Sequence, residues 1–376
     1  MTRHILVRYG EIGTKSEPVR GNMESRLRQR VEDRLEFEEL EYDRVGKHHG
    51  RIIVHDVEES AAEHIAELPG VSSVSPSLKT DASIEALEEL VEKFEIGDTF
   101  GVDASTANTQ MSSQELEREL GAHVEELTGA SVDLDSPDTW VKVEVRNREA
   151  YMFTKTLRGP DGYPVGSESG LAALISGGID SPVAAHEAMK RGSDITPVYF
   201  YNKPIAAEDH LLRFLSAVNE LERFHPAKKW EYFVVDMEEV NRELMKVGRG
   251  RMVLHRRIMF QVAEKIAEKE GLEGIVTGES MAQKSSQTPS NLSRTSSAVE
   301  KPVHRPLLTS NKNEIVEKAK DIGTFEDSTI DSACRTLSPE NPATSMTDEK
   351  LEELVEKVDE AQLVETALEN SERHEL

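Results

Sequence analysis

The sequence holds a single cysteine, Cys334, among 376 residues. That excludes an internal disulfide and any zinc or iron–sulfur site built from several cysteines of one chain. Aromatic residues are only 5% and hydrophobic residues 37%. Such values border on those of disordered chains, yet apolar residues recur with helix or strand period along almost the whole length, so cores are expected. No apolar run is long enough to cross a bilayer, and Met1-Thr2-Arg3-His4 leads into a short strand instead of a signal peptide. The expectation is a cytoplasmic protein with no membrane partner. Basic residues are scarce too: 45 Lys and Arg against 71 Asp and Glu give a formal net charge of −26, which points to a solvated acidic surface of the halophilic kind. The histidines show no H-E-x-x-H or comparable metal spacing.

The few cations are not spread evenly. Arg20, Arg26, Arg28, Arg30 and Arg34 fall on the first long helix, Lys142, Arg146, Arg148, Lys155 and Arg158 form a second group, and Arg242 to Arg257 a third. Clusters of this kind either meet phosphates or pair with the abundant carboxylates on solvated faces.

The most informative stretch is Ser176-Gly177-Gly178-Ile179-Asp180-Ser181, fed by the apolar segment Leu171 to Ile175 and followed by a helical pattern. Two glycines let the backbone turn sharply and approach a ligand, and two serines add hydroxyl donors. Ser181 reads as the helix N-cap with Pro182 at the first helical position, and Gly192 as the stop. The free amides of that helix start favour an anion, a polyphosphate by size, although a bare Gly-Gly turn also suits an ordinary strand-turn-helix corner.

Around it, organisation is legible from period. A strand at His4 to Tyr9, a helix with Val19, Met23, Leu27, Val31 and Leu35 at four-residue spacing, and two strands ending near His55 make a small α+β unit (1–56). Alternating helix and strand signals fill 57–158, a Gly- and Pro-rich linker covers 159–169, and strand-helix repeats run through 170–376. Short apolar strands spaced by helices predict an α/β doubly wound parallel sheet, with ligands beyond the strand C-terminal ends. The acidic tail, 347–370, reads as one amphipathic helix.

SGGIDS matches the PP-loop of the ATP pyrophosphatases, which lacks the lysine of G-x-x-x-x-G-K-[ST]. With Arg8-Tyr9-Gly10-Glu11-Ile12, Lys155-Thr156, Gly162-Tyr163-Pro164-Val165-Gly166, Thr277-Gly278-Glu279-Ser280, Ser286-Gln287-Thr288 and Arg305-Pro306-Leu307, the chain resembles the tRNA 4-thiouridine synthetase (tRNA sulfurtransferase) family over nearly its whole length. That resemblance implies a ferredoxin-like unit, a THUMP RNA-binding domain and a PP-loop ATP pyrophosphatase domain, without a rhodanese domain. It further implies a tRNA uridine 4-sulfurtransferase that adenylates uridine O4 at position 8 of tRNA and replaces it with sulfur, and a sulfur-carrier role in thiamine thiazole synthesis in some relatives. ATP contacts carry over to Leu174, Ile175, Ser176, Gly177, Gly178, Asp180, Ser181, Tyr199, Phe200, Arg256, Gly278 and Gln287, with Asp180 also holding Mg²⁺ on the pyrophosphate.

Cys334 stands at the family's sulfur-carrying position. Alone, a cysteine is more often a small buried hydrophobe, but Ser332, Ala333, Arg335 and Thr336 are not a core pattern. The family commonly has Asp two residues before this cysteine; here Ser332 stands there and Asp331 lies one residue further back. The sulfur donor, whether a cysteine desulfurase, a persulfide or sulfide, and the thiol that completes transfer come from outside the chain or from a second subunit of a homodimer. The competing expectations are an ATP-dependent amide or amidine synthetase on the same PP-loop fold, and a non-catalytic tRNA-binding protein.

Overall fold

The computed structural model describes residues 3–48, 50–203, 209–328 and 337–376. The chain divides into two compact units, Met1–Pro164 and Val165–Leu376.

In the first unit nine strands form one sheet: β1 (Arg3–Arg8), β2 (Arg44–His48), β3 (Arg51–His55), β4 (Ser73–Asp81), β5 (Thr99–Ala107), β6 (Ser131–Val132), β7 (Thr139–Arg146), β8 (Glu149–Phe153) and β9 (Leu157–Arg158). Their order is β2-β3-β1-β4-β8-β7-β5-β6, with β9 also on β4. The first four strands with helices Glu17–Phe37 and Ala61–Ala66 make the β-α-β-β-α-β arrangement of a ferredoxin-like fold. Period-2 alternation decides which face is buried. Ile5, Val7, Ile52 and Val54 pack under the first two helices, and Phe100, Val102, Val141 and Val143 under helices Ile84–Val91 and Ser113–Thr128.

On the first long helix, Met23, Leu27, Val31 and Leu35 are buried as their spacing predicts, but Val19 is 43% exposed. A strict four-residue spacing advances about 40° per step around a 3.6-residue helix, so the stripe leaves the core within a few turns.

The second unit contains β10 (Tyr163–Leu174, which starts at the boundary), β11 (Arg191–Tyr201), β12 (Glu231–Asp236), β13 (Gly274–Thr277), β14 (Val303–His304) and β15 (Ser371–Glu375), in the order β14-β13-β10-β11-β12-β15. β10 runs parallel to β13, β11 to β12 and β13 to β14. Both faces are covered. Leu171, Ala173 and Ile175 face one core with helices Asp180–Lys190, Asp209–Glu222 and Lys312–Asp321, while Ala172 and Leu174 face the other with Arg251–Glu270. This explains why the strand reads as a continuous apolar run. The chain leaves β10 toward β11 and β12, then returns to the other side of β10 as β13. That reversal is the topological switch point at which such sheets bind ligands.

One sequence expectation is corrected in the tail. Residues 347–370 form two helices, Asp348–Lys357 and Glu360–Glu369, broken where Val358 turns extended and Asp359 caps the second through its side chain. The chain then adds β15 antiparallel to β12, an edge strand whose polar sequence Ser371-Glu372-Arg373-His374-Glu375 gives no apolar alternation to detect.

The first and third basic clusters are largely neutralised. On the first helix Arg20 pairs with Glu24, Arg28 with Glu32, Arg30 with Asp33 and Arg34 with Glu38. In the third cluster Arg242 pairs with Glu238, Lys246 with Glu243, Arg256 with Glu279 and Arg257 with Glu360.

Candidate active site

The SGGIDS loop sits at the C-terminal end of β10, and its two serines tie it shut. The Ser176 amide donates to Ser181 Oγ at 2.8 Å, and the two hydroxyl oxygens are 3.1 Å apart. This corrects the capping expectation: the helix starts at Asp180 with Ile179 in the N-cap position and no side-chain cap, because the Ser181 hydroxyl is spent on the loop instead. The helix amides are therefore left facing the loop. At the other end Gly192, at φ +90°, turns the chain as anticipated.

The loop borders a cavity of about 500 Å³, within the range of small-molecule sites. All twelve residues expected to touch ATP line this one cavity: Leu174 ends β10 and Ile175 follows it, Ser176, Gly177, Gly178, Asp180 and Ser181 form the loop and helix start, Tyr199 and Phe200 lie near the end of β11, Arg256 lies on the long helix Arg251–Glu270, Gly278 follows β13, and Gln287 lies beyond it. Gln287 is 4% exposed, and its Oε1 is a buried acceptor without a hydrogen-bond partner.

Sequence reasoning missed several groups here. Lys312 Nζ reaches Asp180 Oδ1 at 2.8 Å, and Gln283 Nε2 lies 3.4 Å from Oδ2. Glu279, 1% exposed, accepts from Arg305 Nε at 2.8 Å and holds Arg256 Nε at 3.3 Å, an ionic contact without hydrogen-bond geometry. Arg256 thus enters the cavity wall already paired with a carboxylate, instead of as a bare cation.

Residues 166–360 match the family described as Thiamine biosynthesis protein (ThiI), residues 4–75 the ThiI ferredoxin-like domain, and residues 81–155 the THUMP domain. The chain belongs to the ThiI family. It is 40% identical over 352 residues to a probable tRNA sulfurtransferase of Halobacterium salinarum, covering 91% of this chain and 90% of that one. It is 33% identical over 390 residues to a probable tRNA sulfurtransferase of Staphylococcus aureus, covering 99% and 94%. Among solved structures, a 4-thiouridine synthetase–RNA complex with bound ATP matches with a TM-score of 0.87 at 32% identity over the whole of both chains.

Of the residues that the ThiI resemblance singled out, Cys334, with Asp331 and Ser332 beside it, lies outside the described residues. No helix among the described residues is long and apolar enough to cross a membrane.

Two buried histidines near the site of this ThiI-family fold lower its acid stability. Asn202, in the cavity wall, is 2.9 Å from Nε2 of His255, and His186 lies on the PP-loop helix against Phe224. Burial, with Arg256 near one and Lys190 and Arg223 near the other, lowers both to about 3. Neutral in the folded state and protonated in the unfolded one below the ordinary histidine range, each removes stability as pH falls from about 6.5 toward 3. Denaturant titrations are expected to show about 2 kcal/mol lost per histidine between pH 6.5 and pH 5. His186→Phe should remove its own share, about half of what the two histidines lose together.

Proposed function

We propose that the protein is an ATP-dependent tRNA sulfurtransferase that makes 4-thiouridine at position 8 of tRNA. The observation that carries this reading is the convergence of the twelve expected nucleotide residues on one cavity at the switch point, in a fold close to that of a 4-thiouridine synthetase with ATP bound.

The cavity suits ATP by its donors. Loop and helix amides with Lys312 face the β and γ phosphates, the backbone at Leu174 and Ile175 meets adenine, and the unmet Oε1 of Gln287 accepts from an amino group of the base. No group of three or more His, Cys, Asp or Glu among the described residues could hold a metal unaided. Mg²⁺ would therefore rely on phosphate oxygens with Asp180 as its protein ligand, supplying charge neutralisation of the leaving pyrophosphate.

Uridine O4 is a poor leaving group. Its attack on the α phosphorus expels pyrophosphate and converts it into AMP bonded to C4. The terminal sulfur of a Cys334 persulfide then attacks C4 and AMP departs, leaving a disulfide between base and Cys334 that a second thiol cleaves. That thiol and the sulfur donor (a cysteine desulfurase or a small persulfide) are external, unless a second subunit contributes the thiol; sulfide, as donor, would instead attack the adenylated C4 directly and expel AMP without a Cys334 persulfide. The same persulfide would serve as a sulfur carrier for thiazole synthesis, and the setting is the cytoplasm.

Purified protein given tRNA, ATP and a persulfide donor is expected to release AMP and pyrophosphate and to yield 4-thiouridine, read by nucleoside mass spectrometry. ADP as product, or pyrophosphate release driven by ammonia without tRNA, would overturn this. Cys334→Ser should retain tRNA-dependent AMP release while thiolation from the persulfide falls more than about 100-fold. Undiminished thiolation would remove Cys334 from the mechanism.

A further inference from the structure

A second cluster lies wholly within Met1–Pro164, on the sheet face opposite the four helices. Glu144 of β7, 7% exposed, accepts from Arg8 Nε of β1 at 2.6 Å and from Arg51 Nε of β3 at 3.1 Å, while Arg146 NH2 lies 3.3 Å away. Register fixes this meeting. Leu6 pairs with Ile53 and with Ser75, and Glu144 with Tyr151, all on the face where Leu6, Ile53, Tyr151 and Phe153 form a small core.

The stoichiometry is unlike that of the first helix, where Arg20, Arg28, Arg30 and Arg34 each pair with a carboxylate. Here three guanidiniums share one, leaving two positive charges without an ion-pair partner among the described residues, in a site whose arginine side chains are only 14 to 24% exposed. Their mutual repulsion is strong at such distances and partial burial. Burial, with Arg51 and Arg146 adding to it against the pull of Glu144, depresses the Arg8 pKa.

Donors are also left over. Arg8 spends NH1 on Ser75 at 3.0 Å and Arg51 spends NH1 on the Gly50 carbonyl at 3.0 Å, but Arg146 Nε is buried with no hydrogen-bond partner. Ser75 Oγ in turn lies 3.1 Å from Thr156 Oγ1, so the Arg8-Tyr9-Gly10 and Lys155-Thr156 segments, far apart in sequence, meet at this spot.

We propose that Arg8, Arg51 and Arg146, organised by Glu144, form a binding site for a phosphodiester of the RNA substrate. The proposal rests on the tRNA reading above. Guanidinium forks match phosphate oxygens in pairs, and Glu144 holds the three forks together while no anion is present. In a chain of net charge −26 a polyanion is repelled by most of the surface, so it must be gripped where cations outnumber their partners.

The test is tRNA binding by the full chain, followed by fluorescence anisotropy from 50 to 400 mM KCl. Arg51→Gln combined with Arg146→Gln is expected to weaken binding about tenfold at low salt and to lower the slope of log K against log[KCl] by about 1. Arg26→Gln, an exposed first-helix residue, removes one charge elsewhere and should leave the slope unchanged. An unaltered slope in the double variant, or an equal fall in Arg26→Gln, overturns the site. So does saturable inorganic phosphate binding that the double variant loses without any change in tRNA affinity. If the double variant does not fold, as judged by its melting curve, Arg51→Gln alone and Arg51→Lys are read by the same slope. Wild-type protein that binds no tRNA would instead overturn the underlying reading.

Discussion

Asp180→Asn and Lys312→Gln are each expected to cut tRNA-dependent AMP release by about 10²–10³-fold while moving the melting temperature by only a few degrees. The separation of the two effects follows from where the pair sits. Lys312 Nζ and Asp180 Oδ1 are 2.8 Å apart, but the lysine side chain is 50% exposed, so solvent screens the pair and it contributes no more than about 1 kcal/mol to folding. Its position is costly in another respect. Asn311 caps the helix Lys312–Asp321 through a full capping box with Glu314, which places a cation at the first turn, where the helix macrodipole disfavours one. Asp180 has the converse placement, a carboxylate in the first turn of its own helix, where the dipole favours it. A lysine held against its helix dipole beside an anion-binding loop suits a departing pyrophosphate. The PP-loop itself has no lysine, and Lys312 brings the charge from another element. Quenched-flow measurement of AMP in the two single variants and the double variant checks this. If the groups act on the same phosphates, the double variant is little worse than either single one. Losses that multiply would mean that they act separately.

How much of this was readable beforehand depended on whether the signal was local. The loop and the doubly wound sheet were legible because glycine punctuation and apolar strands buried on both faces each leave a mark within a few residues: Leu171 to Ile175 is continuous because Ala172 and Leu174 face one core and Leu171, Ala173 and Ile175 the other. Lys312 and Glu279 were not assigned to the site because their relevance comes from tertiary proximity to Asp180 and Arg256. For Lys312 the signal existed, in a cation that follows an Asn-x-x-Glu cap and opposes the dipole. The basic clusters were left open between phosphates and carboxylates. Sequence spacing shows that Arg28 and Arg30 share a helix with Glu32 and Asp33 at pairing distance, but not whether phosphates compete for them. Nor does it show that Arg8, Arg51 and Arg146, which come from three different strands, converge on one carboxylate.

Gly278→Ala is expected to lower kcat/KM by about 10²-fold, with the loss falling on kcat as well as on KM for ATP. The reason is steric and concerns the backbone of the loop. Gly278 follows β13, whose last residue Thr277 pairs with Leu174, so it runs alongside the point where the loop becomes helix. A Cβ there would stand 2.7 Å from the Asp180 carbonyl carbon and the Ser181 amide nitrogen. Both are backbone atoms, so no side chain can swing away, and the start of the helix must shift, carrying the Asp180 carboxylate and the loop amides with it. Overpacking of this kind costs about 1–3 kcal/mol, which is several degrees of melting temperature for a unit of this size. Gly248→Ala, where an added Cβ meets nothing within 4 Å, serves as the control and should leave both quantities unchanged. Steady-state kinetics and a melting curve on the two variants separate the alternatives. A Gly278→Ala enzyme with raised KM for ATP and unaltered kcat would mean that the glycine serves nucleotide access alone. A parallel fall in kcat means that β13 is the wall against which the loop is set.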